Sequence, residues 1–95
     1  MTAIWDEAIR EDILAGTGLD VSGVDQFFAG VRLESPAVDD PVVQRRIVSI
    51  GFLAGRMVVL AWEARGGDRR ILGMRLANER EQTRFGERLG AVGRP

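Results

Sequence analysis

The stretch from Gly55 to Phe85, GRMVVLAWEARGGDRRILGMRLANEREQTRF, leaves this chain few folds to choose from. Val58-Val59-Leu60-Ala61-Trp62 is a β-branched and aromatic run, and Arg70-Ile71-Leu72-Gly73-Met74-Arg75 is a second run with an arginine at each end. Between them Gly66-Gly67-Asp68 supplies turn residues, so the two runs read as a β-hairpin. Asn78 follows, with Glu81 three residues on, the pairing of a capping box that opens a helix. A hairpin that delivers arginines towards a helix start suits an anion.

Upstream, residues 6–15 read as a first helix. Asp6 stands at the cap position, acids fill the first turns, and Ile9 and Ile13 form an apolar pair one turn apart. Gly16-Thr17-Gly18 stops it. Ser22, with Asp25 three residues later, caps a second short helix whose buried side is Val24, Phe27 and Phe28, and Gly30 ends it. Val31-Arg32-Leu33-Glu34 alternates as a first strand, and Pro36 to Pro41 is a loop in which Asp39-Asp40 reads as a solvated pair, not a metal site.

Arg45 to Phe52 alternates again, with Ile47, Ser49 and Gly51 on one side and Arg46, Val48, Ile50 and Phe52 on the other. Leu53-Ala54-Gly55 is a tight connection, Met57 to Trp62 is the most apolar and therefore central strand, and Arg69 to Arg75 closes a meander. The last helix, about 78–90, carries Phe85, Leu89 and Val92 on one face and Arg80, Arg84 and Arg88 as a stripe on a neighbouring one. Gly90 and Gly93-Arg94-Pro95 read as a frayed end. The expected architecture is α+β: two N-terminal helices, a four-stranded antiparallel sheet and a C-terminal helix, in one domain over residues 1–95.

Composition removes several function classes. The chain has no cysteine and no histidine, so disulfides, thiol chemistry and zinc or other soft-metal sites are not expected, nor is any cofactor. No apolar run approaches the ~20 residues of a membrane span. The start, MTAIWDEAIRED, lacks the basic flank and apolar core of a signal peptide, so a cytoplasmic protein is the simplest reading. The net charge of −1 conceals an asymmetry: residues 1–44 hold two arginines against nine acids, and residues 45–95 hold eleven arginines against five. Every basic side chain is arginine. Genomic base composition explains that, and so does a basic half facing phosphates, which the guanidinium fork matches well.

Taken together, these residues resemble the BrnT family of bacterial type II toxins. The likeness runs from Trp5 to Phe85 and rests on Trp5-Asp6-Glu7 at the first helix, Arg46-Ile47-Val48-Ser49-Ile50-Gly51 on a strand, and the apolar strand after it. Arg70-Ile71-Leu72-Gly73-Met74-Arg75-Leu76-Ala77, running into a helix with Glu81, completes it. The resemblance implies a RelE-like fold and an RNA-cleaving toxin that arrests translation. It further implies neutralisation by a BrnA-type ribbon–helix–helix antitoxin, with operator DNA engaged only through that partner. The first helix departs from the family pattern. Ile9 and Ile13 stand where the family has lysine and asparagine, and Gly16-Thr17-Gly18 where it has Lys-His-Gly. Gly73 stands where it has serine, and Phe85 where it has tyrosine.

Metal-free RNA cleavage needs a base for the 2′-hydroxyl, an acid for the leaving oxygen and cations for the phosphorane. Without His, Lys, Tyr or Cys the base must be a carboxylate, and the candidates are Glu63 and Glu7. Arg70 and Arg75 would clamp the phosphate with Arg46 as a third cation, and Arg80 and Arg84 would extend the RNA-binding surface. Arginine holds its proton too tightly to serve as the acid, which leaves water or a protonated carboxylate.

Each residue also has a structural role open to it. Glu81 fits a capping box, and Trp5 and Trp62 fit packing. Arg46 fits a cross-strand pair with Glu34 or Glu63, and Arg75 a salt bridge. The rival function is a binding module that has lost catalysis and serves as corepressor or as antitoxin decoy.

Overall fold

A computed structural model describes residues 2–35 and 46–93, with side chains as far as Leu89. The expected loop at Pro36 to Pro41, with Asp39-Asp40, and the side chain of Val92 lie outside the described residues.

The hairpin forms as its sequence dictates. Strands β4 (Arg56–Arg65) and β5 (Asp68–Leu76) pair antiparallel around Gly66 and Gly67. Both glycines have positive φ, 58° and 91°, as a two-residue turn of the type I′ kind requires. Strand β3 (Arg46–Leu53) pairs with the other edge of β4 through a second two-residue turn, Ala54-Gly55, with φ of 52° and 77°. Ala54 is the one non-glycine with positive φ among the described residues. Strand β2 (Arg32–Glu34) adds antiparallel beyond β3.

The sheet is larger than the expected four-stranded antiparallel one. Ala3–Ile4 forms a fifth strand, β1, paired parallel with Arg69 and Arg70, and the order is β1-β5-β4-β3-β2. Two residues carry no periodicity, which hides such a strand in the sequence. Its neighbouring backbone bond, from the Arg69 N–H to the Thr2 carbonyl at 2.8 Å, comes from chain proximity.

Central β4 is buried on both faces. Val58, Leu60 and Trp62 point to one side, where helices α1 (Glu7–Thr17) and α2 (Val24–Ala29) cover them with Ile13, Val24, Phe27 and Phe28. Trp5 and Ile9 pack at the margin of this core. Met57 and Val59 point to the other side, under Phe85 and Leu89 of α3 (Glu79–Gly93), which runs on past Gly90. Helices on both faces of one sheet thus give an α+β layering, with three helices and five strands among the described residues.

Local chemistry sets the helix ends, with three departures from expectation. Thr17 does not stop α1 but lies buried in its last turn. Its hydroxyl donates to the Ile13 carbonyl at 2.7 Å and accepts the Leu19 N–H at 2.9 Å, and Gly18 (φ 74°) terminates the helix. Asp20, not Ser22, is the second cap. Its carboxylate accepts the Ser22 N–H at 2.9 Å and opens a short 3₁₀ turn, Val21–Gly23, ahead of α2. Asp6 occupies the cap position of α1 but makes no cap bond, and its carboxylate stands 3.6 Å from Arg70 instead.

Candidate anion-binding surface

Cross-strand register builds the site. Arg46, Glu63 and Arg70 stand opposite one another on β3, β4 and β5, forming one row on the face that α3 covers elsewhere. Arg70 donates to the Glu63 carboxylate at 3.2 Å and lies 3.6 Å from Asp6, while Arg65 approaches Glu63 at 3.6 Å. Glu63 is only 13% exposed, so burial and these guanidinium groups fix it in place.

Arg70 and Arg75 are five residues apart, which in a regular strand would send them to opposite faces. They share a face because β5 carries a bulge: Ala61 pairs with Gly73 and Trp62 with Ile71, leaving Leu72 unmatched. Arg70 therefore opposes Glu63, and Arg75 opposes Val59 on the same side of β4. The two arginines are separated along the strand by about 14 Å, from ~3.4 Å per residue over the four residues of β4 between their partners.

Between Arg46 and Arg75 lies an open trough of about 310 Å³ floored by Val48, Val59, Ala61, Gly73 and Met74, with Arg70 and Glu63 outside its lining. Small residues keep the floor low, so a planar or chain-like group can approach the backbone. Arg75 is 58% exposed and forms a two-pronged pair with Glu81, Nη1 to Oε1 at 2.7 Å and Nη2 to Oε2 at 3.0 Å. Glu81 also completes the capping box: it accepts the Asn78 N–H at 3.0 Å, and Asn78 Oδ1 accepts the Glu81 N–H at 2.8 Å. The Arg75 bond first, then the Asn78 bond and the Arg75 charge, pull the Glu81 carboxyl down to about 2. Hydrogen bonding to Glu81 raises the Arg75 guanidinium in turn.

The remaining candidates lie elsewhere. Glu7 is exposed at the start of α1 and accepts from Arg10 at 2.9 Å, and Arg10 is also held by Asp20 at 3.0 Å. None of its described contacts reaches Glu63. Arg80 and Arg84 are exposed on α3, and the Arg84 guanidinium lies over the Phe85 ring, 5.2 Å from its centroid. Neither lines the trough. Arg88 lies nearer, at an adjoining groove with Leu33, Val48, Ile50 and Phe85.

Three features of the site escape sequence reasoning. Asp6 as a partner of Arg70 depends on β1 docking, and Arg65 as a partner of Glu63 depends on the turn. The Arg75–Glu81 pair had a signal, since a capping box six residues beyond an arginine brings its carboxylate back over the strand end. Among the described residues no group of three or more acidic side chains is placed to hold a metal ion. Compared with known proteins, the chain matches no family model and no curated sequence.

Proposed function

We propose that this chain is the toxin component of a type II toxin–antitoxin pair of the BrnT kind, with a RelE-like fold and metal-independent ribonuclease activity that inhibits translation. The observation that carries the reading is the bulged β5, which sets Arg70 and Arg75 on one face with Arg46 and Glu63, beside a low apolar floor that runs between Arg46 and Arg75. An RNA backbone laid along the trough meets Arg46 and Arg70 at one end and Arg75 at the other. Glu63, in the same row, is the carboxylate best placed to accept the 2′-hydroxyl proton once Arg70 turns to the phosphate. Water supplies the leaving-group proton. Loss of a dedicated acid costs roughly 10²–10⁴ in rate, so turnover is slow. A ribbon–helix–helix antitoxin covers the protein in the resting cell.

The test is cleavage of single-stranded RNA by purified protein in the presence of a chelator. Wild type cleaves, and Arg75→Ala reduces cleavage at least tenfold, within the span that one transition-state donor commands. Equal cleavage by both proteins defeats the site assignment.

One observation favours a second reading, an antitoxin-binding module without catalysis. Ile9 and Ile13 pack in the core and the Thr17 hydroxyl is tied to backbone, so α1 presents no acid or base at these positions. A protein that binds the product of its neighbouring gene tightly yet never slows growth when expressed alone would fit that reading.

A further inference from the structure

We infer that Glu81 is a built-in competitor for the phosphate site, so that the trough selects ligands with several linked phosphates over single ones. The inference rests on the RNA-binding reading above and specifies what that surface accepts. Arg75 is 58% exposed, yet both prongs of its fork are occupied by the Glu81 carboxylate, at 2.7 and 3.0 Å. A phosphate needs those same two donors, because phosphate and carboxylate engage a guanidinium in the same parallel geometry. Glu81 therefore takes the place on Arg75 that a phosphate would take.

The capping box keeps that competitor in position. Glu81 is anchored through its own N–H to Asn78 and through its carboxylate to the Asn78 N–H, so it cannot swing away without uncapping α3. An arriving phosphate must displace a carboxylate that the helix start holds beside Arg75. Beyond the Arg46 end of the trough, in the same cross-strand row, Arg70 is drawn towards Glu63 and Asp6. The two anchors are about 14 Å apart along the strand and each is held by its own carboxylates, a separation that one phosphate does not bridge and a polynucleotide backbone does. A single phosphate meets one occupied arginine. A chain of phosphates gains from both ends at once, and the second contact is then made at high effective concentration.

The test uses the capping chemistry to separate charge from fold. Gln serves in a capping box as Glu does, so Glu81→Gln removes the competing charge and keeps α3 capped. Affinity for a labelled single-stranded RNA oligonucleotide, and separately for inorganic phosphate, is measured for wild type, Glu81→Gln, Arg75→Ala and the double variant. Glu79→Gln, on the same exposed turn, controls for net charge, and circular dichroism checks that every variant is folded.

The expected result is oligonucleotide binding tightened about threefold to fivefold by Glu81→Gln, the range open to an exposed ion pair. Glu79→Gln has a smaller effect, and the gain vanishes in the Arg75→Ala background. Phosphate binding is weak in wild type and improves in Glu81→Gln. A gain that persists without Arg75, or no gain at all while wild type binds RNA through Arg75, overturns the competitor role. Failure of all four proteins to bind RNA overturns the RNA-binding reading itself, and the inference with it.

Discussion

Ser49 offers the sharpest test of the fold's internal logic. It is fully buried, accepts the Trp62 indole N–H at 2.9 Å and donates to the Glu34 carboxylate at 2.8 Å, linking β4, β3 and β2 through side chains. Glu34 is also held by Arg32 at 3.0 Å. Ser49→Ala removes both bonds and leaves the indole donor without a partner in a site where Trp62 is only 6% exposed. An orphaned buried donor costs ~1–3 kcal/mol and a bond to a charged group ~1.5–3 kcal/mol, so a loss of about 3 kcal/mol is expected. For a domain of this size that lowers the melting temperature by roughly 12–24 °C.

The assay is urea unfolding followed by circular dichroism, run as a double-mutant cycle with Trp62→Phe. Once the indole N–H is gone, Ser49→Ala orphans nothing, and the two changes together cost less than their sum by about 1–2 kcal/mol. The pH dependence gives a second reading. Burial pushes the Glu34 carboxyl up, but the Ser49 and Arg32 bonds and the Arg32 and Arg69 charges outweigh it and leave it below its ordinary 4.5. A depressed carboxyl stabilises the fold above the ordinary value and loses that contribution as pH falls through the folded one. The deficit of Ser49→Ala therefore narrows below about pH 4.5. A deficit under ~0.5 kcal/mol at neutral pH, the size of an ordinary surface change, would refute the relay.

Further expectations follow from the same geometry. Ala54→Asn, at φ 52° in the first position of a tight turn, stabilises the protein by about 1 kcal/mol in thermal unfolding, because asparagine tolerates the left-handed region better. A Cβ at Gly51 would meet the Phe27 ring at 2.9 Å and the Val31 carbonyl at 3.1 Å, so Gly51→Ala destabilises by about 1–3 kcal/mol in denaturant titration. The Glu81 carboxyl, lowered from 4.5 to about 2, supports the folded state above its ordinary value and releases that support as pH falls between the two. In acid titrations Glu81→Gln accordingly flattens stability between those limits, while an unchanged acid limb contradicts the Arg75–Glu81 pair.

Much of the fold was legible in the sequence because its signals are local. The alternation of Arg46 to Phe52 assigned each side chain to its observed face, and β4 takes the central place that its apolar run suggested. Asn78 and Glu81 form the capping box that their spacing announced. What stayed hidden depends on chain segments meeting in space. Ala3–Ile4 has no pattern of its own and becomes a strand only beside β5. Asp20 and Ser22 are both good caps two residues apart, and the Arg10 partner favours Asp20.

The bulge at Leu72 matters most for the site. Simple alternation would have separated Arg70 from Arg75, and nothing in the run Ile71-Leu72-Gly73 marks which residue is unmatched. Candidate site residues were legible as chemical types, but their partners were not. Arg70 finds Glu63 and Asp6, Arg75 finds Glu81, and Glu7 turns to Arg10.

The most direct test of the central claim is growth and translation in cells after inducing this protein alone, beside Arg70→Ala/Arg75→Ala at equal soluble expression. The account predicts arrest of translation by wild type and none by the double variant. Arrest by both would show that toxicity does not pass through the bulged arginine face, and arrest by neither would contradict the toxin reading outright.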